Sequence, residues 1–271
     1  MELSVPTMSD SFLPRGAAHN MSAVAHSTSV GLLAWLWQAH PTHAARLAAH
    51  YFAIPHPLPP RVIGLSLHIA DVTPLLTVFP AAMLPARIMA SVRSRQIEFL
   101  AGRLCAEQCA RSVLESGSID VGERGEPIWP RGLVGSIAHS DSTVYAATCS
   151  ATLRKSIGID SERIVNDLDS DAIADVCMTV RERDRWELQG DKSLVATLIF
   201  SVKEALFKSV YPRVGRWIDF TEIEVEAINW SRGYLMLSSR AARDLSKWTD
   251  HASARFAVTG GDVHTMVCVS E

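Results

Sequence analysis

Apolar and polar residues alternate through "RVIGLSLHIADV" from Arg61, a two-residue period that predicts a strand. The period then changes. In "ARIMASVRSRQIEFLAGRLCAEQCARSVLES", Ile97, Leu100, Leu104 and Cys105 recur at helical intervals, which predicts one long helix with Gly117 as its stop. "LVGSIAH" and "TVYAATC" return to strand patterning and are joined by the turn "SDS". "SIGID" is the next strand, with Ile157 and Ile159 on one face. In "KSLVATLIFSVKEALFKSVYP" the apolar residues Leu198, Ile199, Val202 and Leu206 predict a second long helix. Strands are expected after it at "TEIEVEAI", "GYLMLS", "RFAVTG" and "HTMVCVS".

Each half thus offers a long helix and antiparallel strands. The expected class is α+β, a pseudo-twofold duplication of a long helix packed on a small antiparallel sheet. The boundaries predicted are a leader over 1–55, an N-terminal α+β half over 56–152 and a C-terminal α+β half over 153–271. Residues 1–28 have weak periodicity and read as flexible. "VGLLAWLWQAHPTHAARLAAHYFAIPHPLPP" reads as partly helical, stopping at its prolines. His40, His43, His50 and His56 lie there, but Pro41, Pro55 and Pro57 break any regular ligand spacing, so they read as surface histidines.

Composition narrows the function. The chain has 271 residues, 48% of them apolar and 20% charged, which is globular. A net charge of -3 gives no reason to expect a nucleic-acid surface over the whole molecule, so an anion site must come from local clusters of Arg and Lys. The five cysteines contain no CxxC pair, which favours a reducing cytoplasm; Cys105 and Cys109, four apart, read as helix packing. No stretch reaches ~18 uninterrupted apolar residues, so no membrane span is expected. The first residues lack the basic and apolar regions of a signal peptide.

Side chains two apart on a strand point the same way, so Asp160 and Glu162 present both carboxylates to one side. Like charges held close need a cation or a proton between them, and a hard oxygen pair suits Mg²⁺. Taken alone, the pair reads first as two solvated acids at an exposed strand end. On the second helix Glu204 and Lys208 are four apart and share a face, with Lys203 about 100° round the axis from Glu204. A third carboxylate with two ammonium groups fits a metal-bridged pyrophosphate; an ordinary surface pair fits Glu204 and Lys208 as well. Arg95 and Arg103 are eight apart, roughly 12 Å along the axis, with Arg93 near them. They read either as a phosphate clamp or as a solvated face paired with Glu98.

Four ordered blocks, "RQIEFLAGR" (95–103), "GEPIWPRGLVGSIAHS" (125–140), "IGIDSERI" (157–164) and "FSVKEALFK" (200–208), resemble the 4′-phosphopantetheinyl transferases. The resemblance is to the larger, pseudodimeric type of enterobactin-synthase component D and the surfactin-synthetase activator. It implies transfer of the phosphopantetheine arm of coenzyme A to a serine of an acyl or peptidyl carrier protein, with release of 3′,5′-ADP. It implies Asp160, Glu162 and Glu204 as Mg²⁺ ligands and His139 on the coenzyme A phosphates. Arg103 and Arg95 would bind the nucleotide end, with Lys203 and Lys208 near the pyrophosphate. Glu204, directly or through a water, would take the serine proton. One chain would form the whole cleft, so a monomer is expected. The chain departs from the family at Ala138, where Ser or Thr is usual, and at Glu126, where a basic residue is common. A non-catalytic carrier-binding module and a Mg-dependent nucleotide phosphohydrolase are the competing readings. "VYPRVGRW" (210–217) offers Arg213 and Arg216 among apolar residues, either as a carrier-docking loop or as a loop packed into the core.

Overall fold

The computed structural model describes residues 30–114, 117–186, 190–239 and 243–270. The stretch expected as a flexible leader, 1–28, lies outside the described residues. Helices α1 (Leu32–Ala39) and α2 (Pro41–Ala48) follow it. Leu33, Leu36 and Leu47 are buried in one core with Leu100 and Leu104, so the later part of the expected leader is fastened to the N-terminal half. A buried carboxylate helps. Glu107 accepts from Leu32 N at 3.1 Å and Leu33 N at 2.7 Å, supplying the acceptors that Gly31 lacks at the start of α1.

The chain continues through β1 (Phe52–Ala53), β2 (Ile63–His68), α3 (Ile69–Val72), α4 (Ala86–Met89) and α5 (Arg93–Arg111). Next come β3 (Asp120–Val121), β4 (Pro127–Ile128), β5 (Leu133–Ser140) and β6 (Thr143–Ser150). The second half holds β7 (Ser156–Arg163), α6 (Asp167–Cys177), α7 (Val180–Trp186) and α8 (Lys192–Val214). It ends with β8 (Glu224–Asn229), β9 (Tyr234–Ser238), α9 (Arg243–Thr249), β10 (Ala252–Thr259) and β11 (Asp262–Val269). The strand expected across "RVIGLSLHIADV" turns helical at Ile69. Helix α5 ends at Arg111 rather than running to Gly117. Gly117 instead packs back on the helix end, where a Cβ would stand 2.9 Å from Arg111 N.

Two antiparallel sheets result, ordered β1-β2-β6-β5 and β7-β11-β10-β9-β8. In each, the strand before the long helix pairs with the last strand of its half, and that one with its predecessor. Helix α5 buries Ile97, Leu100, Leu104, Cys105 and Cys109, and α8 buries Leu198, Ile199, Val202 and Leu206, as the periodicity predicts. Each large side chain withdrawn from water contributes about 1.5–3 kcal/mol. Among the described residues no helix is long and apolar enough to cross a membrane.

The edge strands β5 and β7 bring the two sheets together, and Ile159 N donates to Ser136 Oγ at 3.1 Å across the seam. Ala138, Tyr145, Ile157, Ile159 and Met266 form a separate apolar cluster there. Helix α8 lies on β7 so tightly that a Cβ on Gly158 would stand 1.8 Å from Ala205 O. The obstacle is backbone, which has no rotamer to move aside. Gly158→Ala is expected to destabilise the fold by about 1–3 kcal/mol or more, as overpacking does. Urea unfolding of the two proteins measures it.

Candidate active site

A cleft of about 780 Å³ opens where β5 and β7 meet. Arg95, Glu98 and Phe99 of α5 line one wall, and Glu204, Phe207 and Lys208 of α8 line the other. His139 from β5 and Asp160 and Glu162 from β7 lie between them. The two acids share a side because they are two apart on a strand. Glu204 joins them because Gly158 lets α8 touch β7 at the next residue, Ala205.

Charge here is unbalanced. Lys208 Nζ bonds Asp160 Oδ1 at 2.6 Å, while Asp160 Oδ2 is buried with no partner. Burial, and then the Asp160 charge, push the Glu162 carboxyl up to about 9. Burial pushes Glu204 up to about 7, against the pull of Lys208. For Lys208 burial works against the charge, but Asp160 and Glu204 outweigh it and raise its pKa. One ammonium thus serves three carboxylates. Among the described residues no three ligand side chains converge into a ready metal cage. Magnesium does not require one, since it keeps several waters and takes one or two carboxylates. The oxygen-only donor set and the orphaned Asp160 Oδ2 fit such an ion.

His139 faces Glu98 and Arg95 on one side and Lys208 on the other; burial lowers its pKa and favours the neutral ring, against the pull of Glu98. Arg95 pairs with Glu98 at 3.4 Å. Arg103 lines the cleft but is itself buried, with Nη1 donating to Asp120 O at 2.9 Å and Nη2 to Gly125 O at 3.0 Å. In this structure it pins the β3–β4 hairpin.

Lys203 corrects the sequence reading. It is not on the main cleft: its Nζ is buried against Glu182 Oε2 at 2.7 Å and donates to the carbonyls of Cys177 and Phe220. Lys203 and Lys208 are five apart, about 140° round the helix, so they cannot face the same wall.

Sequence reasoning missed two arginines of the cleft. Arg87 donates to Glu123 O at 3.1 Å, and Arg124 to Tyr211 OH at 2.5 Å, joining the hairpin to α8. The available signal was the turn "ERGEP", whose Gly125 takes a φ of 96°. The departures from the family pattern have local roles. Glu126 Oε2 accepts from Arg124 N, and Ala138 is buried in the seam cluster. It also missed the burial of His56, which had read as a surface residue. Residues 210–214 are the end of α8 rather than a loop: Val210 and Tyr211 are buried, Trp217 is exposed, and Arg216 is bound by Glu222 and Asp244.

Comparison with known proteins identifies the family. A family model described as the 4′-phosphopantetheinyl transferase N-terminal domain matches residues 84–149. A second, described as the 4′-phosphopantetheinyl transferase superfamily, matches 156–262. The 4′-phosphopantetheinyl transferase Npt of Nocardia iowensis is 36% identical over 140 residues, 51% of this chain and 62% of its own. Enterobactin synthase component D of Salmonella typhi is 33% identical over 129 residues, 47% of this chain and 53% of its own. The component D of Escherichia coli K12 is 30% identical over 153 residues, 56% of this chain and 70% of its own. The first two matches therefore span between half and two thirds of those relatives. The solved Thermotoga maritima holo-[acyl-carrier-protein] synthase matches 42% of this chain and 62% of its own at 18% identity, with a TM-score of 0.35.

Two outcomes follow from the charges. Glu162 and Glu204 have folded-state values near 9 and 7 against a usual 4.5, so between those limits the folded protein binds more protons than the unfolded one. Stability in EDTA is then expected to fall as pH rises from about 5 to 9. Thermal melts across that range check this, and Glu162→Gln should flatten the decline. Lys203→Met should destabilise the protein by about 3–5 kcal/mol, because it leaves Glu182 charged and buried without its partner. Denaturant titration reads that loss.

Proposed function

The chain belongs to the 4′-phosphopantetheinyl transferase superfamily, and from that premise we propose that it moves the phosphopantetheine arm of coenzyme A onto a carrier-protein serine. The observation that carries this is Lys208 set among Asp160, Glu162 and Glu204 across the cleft from Arg95, with His139 between. Such a site suits a pyrophosphate: cationic and neutral donors for its oxygens, and carboxylates for a divalent cation.

Asp160, Glu162 and Glu204 would hold Mg²⁺, with Asp160 Oδ2 as the oxygen that lacks any protein partner. The ion, when bound, would offset charge on the pyrophosphate oxygens. Glu204, directly or through a water, takes the proton of the attacking serine hydroxyl. The serine oxygen forms its bond to the phosphorus of the pantetheine arm as the bond from that phosphorus to the bridging oxygen breaks. 3′,5′-ADP leaves with the bridging oxygen, and Lys208, held protonated, faces that developing charge. His139 donates to a phosphate oxygen from its neutral ring, and Arg95 offers a guanidinium beyond it. Arg103 serves the nucleotide end by fixing the hairpin that carries Arg124 and Gly125.

Mass spectrometry of an apo-carrier incubated with the protein, coenzyme A and Mg²⁺ tests the reading. The expected result is a carrier heavier by one phosphopantetheine arm. An unmodified carrier with coenzyme A cleaved to water would identify a phosphohydrolase, and an unmodified carrier that binds with coenzyme A intact would identify a binding module. Glu204→Gln should lower kcat by about 10²–10⁴ if it is the base. Single-turnover kinetics of the folded variant measures this.

A further inference from the structure

Upstream of both family-matched regions, the chain runs "IPHPLPP" from Ile54 to Pro60. Proline on both sides of His56, with Pro57 restricting it to extended conformations, makes this a stiff segment. Ile54 and Leu58 pack on the seam cluster, and His56 between them is buried. Its Nε2 lies 3.0 Å from Asp160 O and 3.1 Å from Ser161 Oγ.

A carbonyl only accepts, so Nε2 carries the hydrogen and Nδ1 the lone pair. Ser161 Oγ, beside that Nε2–H, is also 3.0 Å from His264 Nδ1. His264 Nε2 lies 3.0 Å from Thr259 Oγ1. The Tyr145 ring packs against both imidazoles, its centroid 5.2 Å from that of His56 and 5.6 Å from that of His264. His56 Nδ1, facing no donor, is the one ring nitrogen of the pair without a partner.

Ser161 is the residue between the two acids, and on a strand its side chain points away from theirs. Its hydroxyl and the carbonyl just before it are the two groups that His56 holds. Turning that peptide would swing both Asp160 and Glu162. From the cleft side Lys208 holds only Asp160 Oδ1, and Oδ2 has no partner. We propose that His56 is a positioning residue: it locks the Asp160–Ser161 backbone from behind so that both carboxylates face the cation. This rests on the magnesium reading above. Groups behind a metal's ligands commonly change its affinity by about 10–100-fold when removed.

Three full-length proteins test it: wild type, His56→Phe, which keeps a ring without a donor, and His56→Gln, whose terminal amide can donate to the same carbonyl. Mg²⁺ binding is measured by calorimetry without substrates, and the Mg²⁺ concentration for half-maximal transfer is measured separately. His56→Phe should weaken both about tenfold or more, with KM for the apo-carrier unchanged, and His56→Gln should recover most of the loss. Equal Mg²⁺ affinity in wild type and His56→Phe overturns the proposal while the magnesium reading stands. A Gln variant as weak as Phe also overturns it, since packing rather than the donor would then matter. A wild type that binds no Mg²⁺ overturns the magnesium reading and this proposal with it. Nitrogen NMR of the unaltered protein adds a readout that needs no variant: His56 is expected as the Nε2–H tautomer, and an Nδ1–H ring would overturn the assignment.

Discussion

Ala205 O sits where any side chain on Gly158 would have to be, and this backbone-to-backbone contact sets the depth at which α8 lies on β7. Two residues along the strand is Asp160; one residue back on the helix is Glu204; one turn on from Glu204 is Lys208. A single methyl group at Gly158 would force these elements apart, because neither partner in the contact can change rotamer. Hydrogen bonds from helix to sheet, Ser209 to Ser156 at 2.7 Å and Ser201 to Thr265 at 2.8 Å, hold the same alignment on either side.

The site formed by that contact has more negative charge than its surroundings compensate. Burial raises both glutamates, and Lys208 satisfies one oxygen of Asp160 while leaving the other without a partner. Elsewhere in the same helix the arrangement is complete: Lys203 meets Glu182 and two carbonyls, with every donor used. A fully satisfied buried ion is a structural element, whereas a partly satisfied cluster opening on a cleft is poised for a ligand. The comparison separates two lysines that a sequence motif presents side by side.

The opposite wall shows the reverse economy. Arg87, Arg103 and Arg124 are bound to main-chain carbonyls of the hairpin turn and to Tyr211, so much of the cationic wall is also scaffold. The hairpin has two strands of two residues each, too short to stand alone. Guanidinium groups, which present several donors in one plane, supply the order that its short ladder lacks.

Periodicity alone determined much of the architecture. The helical spacing of Ile97, Leu100 and Leu104, and of Leu198, Val202 and Leu206, is local, and it emerged as the buried faces of α5 and α8. The alternation in β5, β6 and β7 is local too, so it placed Asp160 and Glu162 on one side of a strand. Which way a lone side chain faces was decided by tertiary structure. Lys203 lies 140° round the helix from Lys208, and only the burial of Glu182 decides which of those faces is interior. His56 looked like a surface histidine because its partners, Asp160 and Ser161, are more than 100 residues away. Arg103 fitted a phosphate clamp by spacing, but its carbonyl acceptors belong to a hairpin that the sequence pattern did not predict. Contacts closed over such distances leave no periodic trace, because they depend on how two sheets meet rather than on neighbours along the chain.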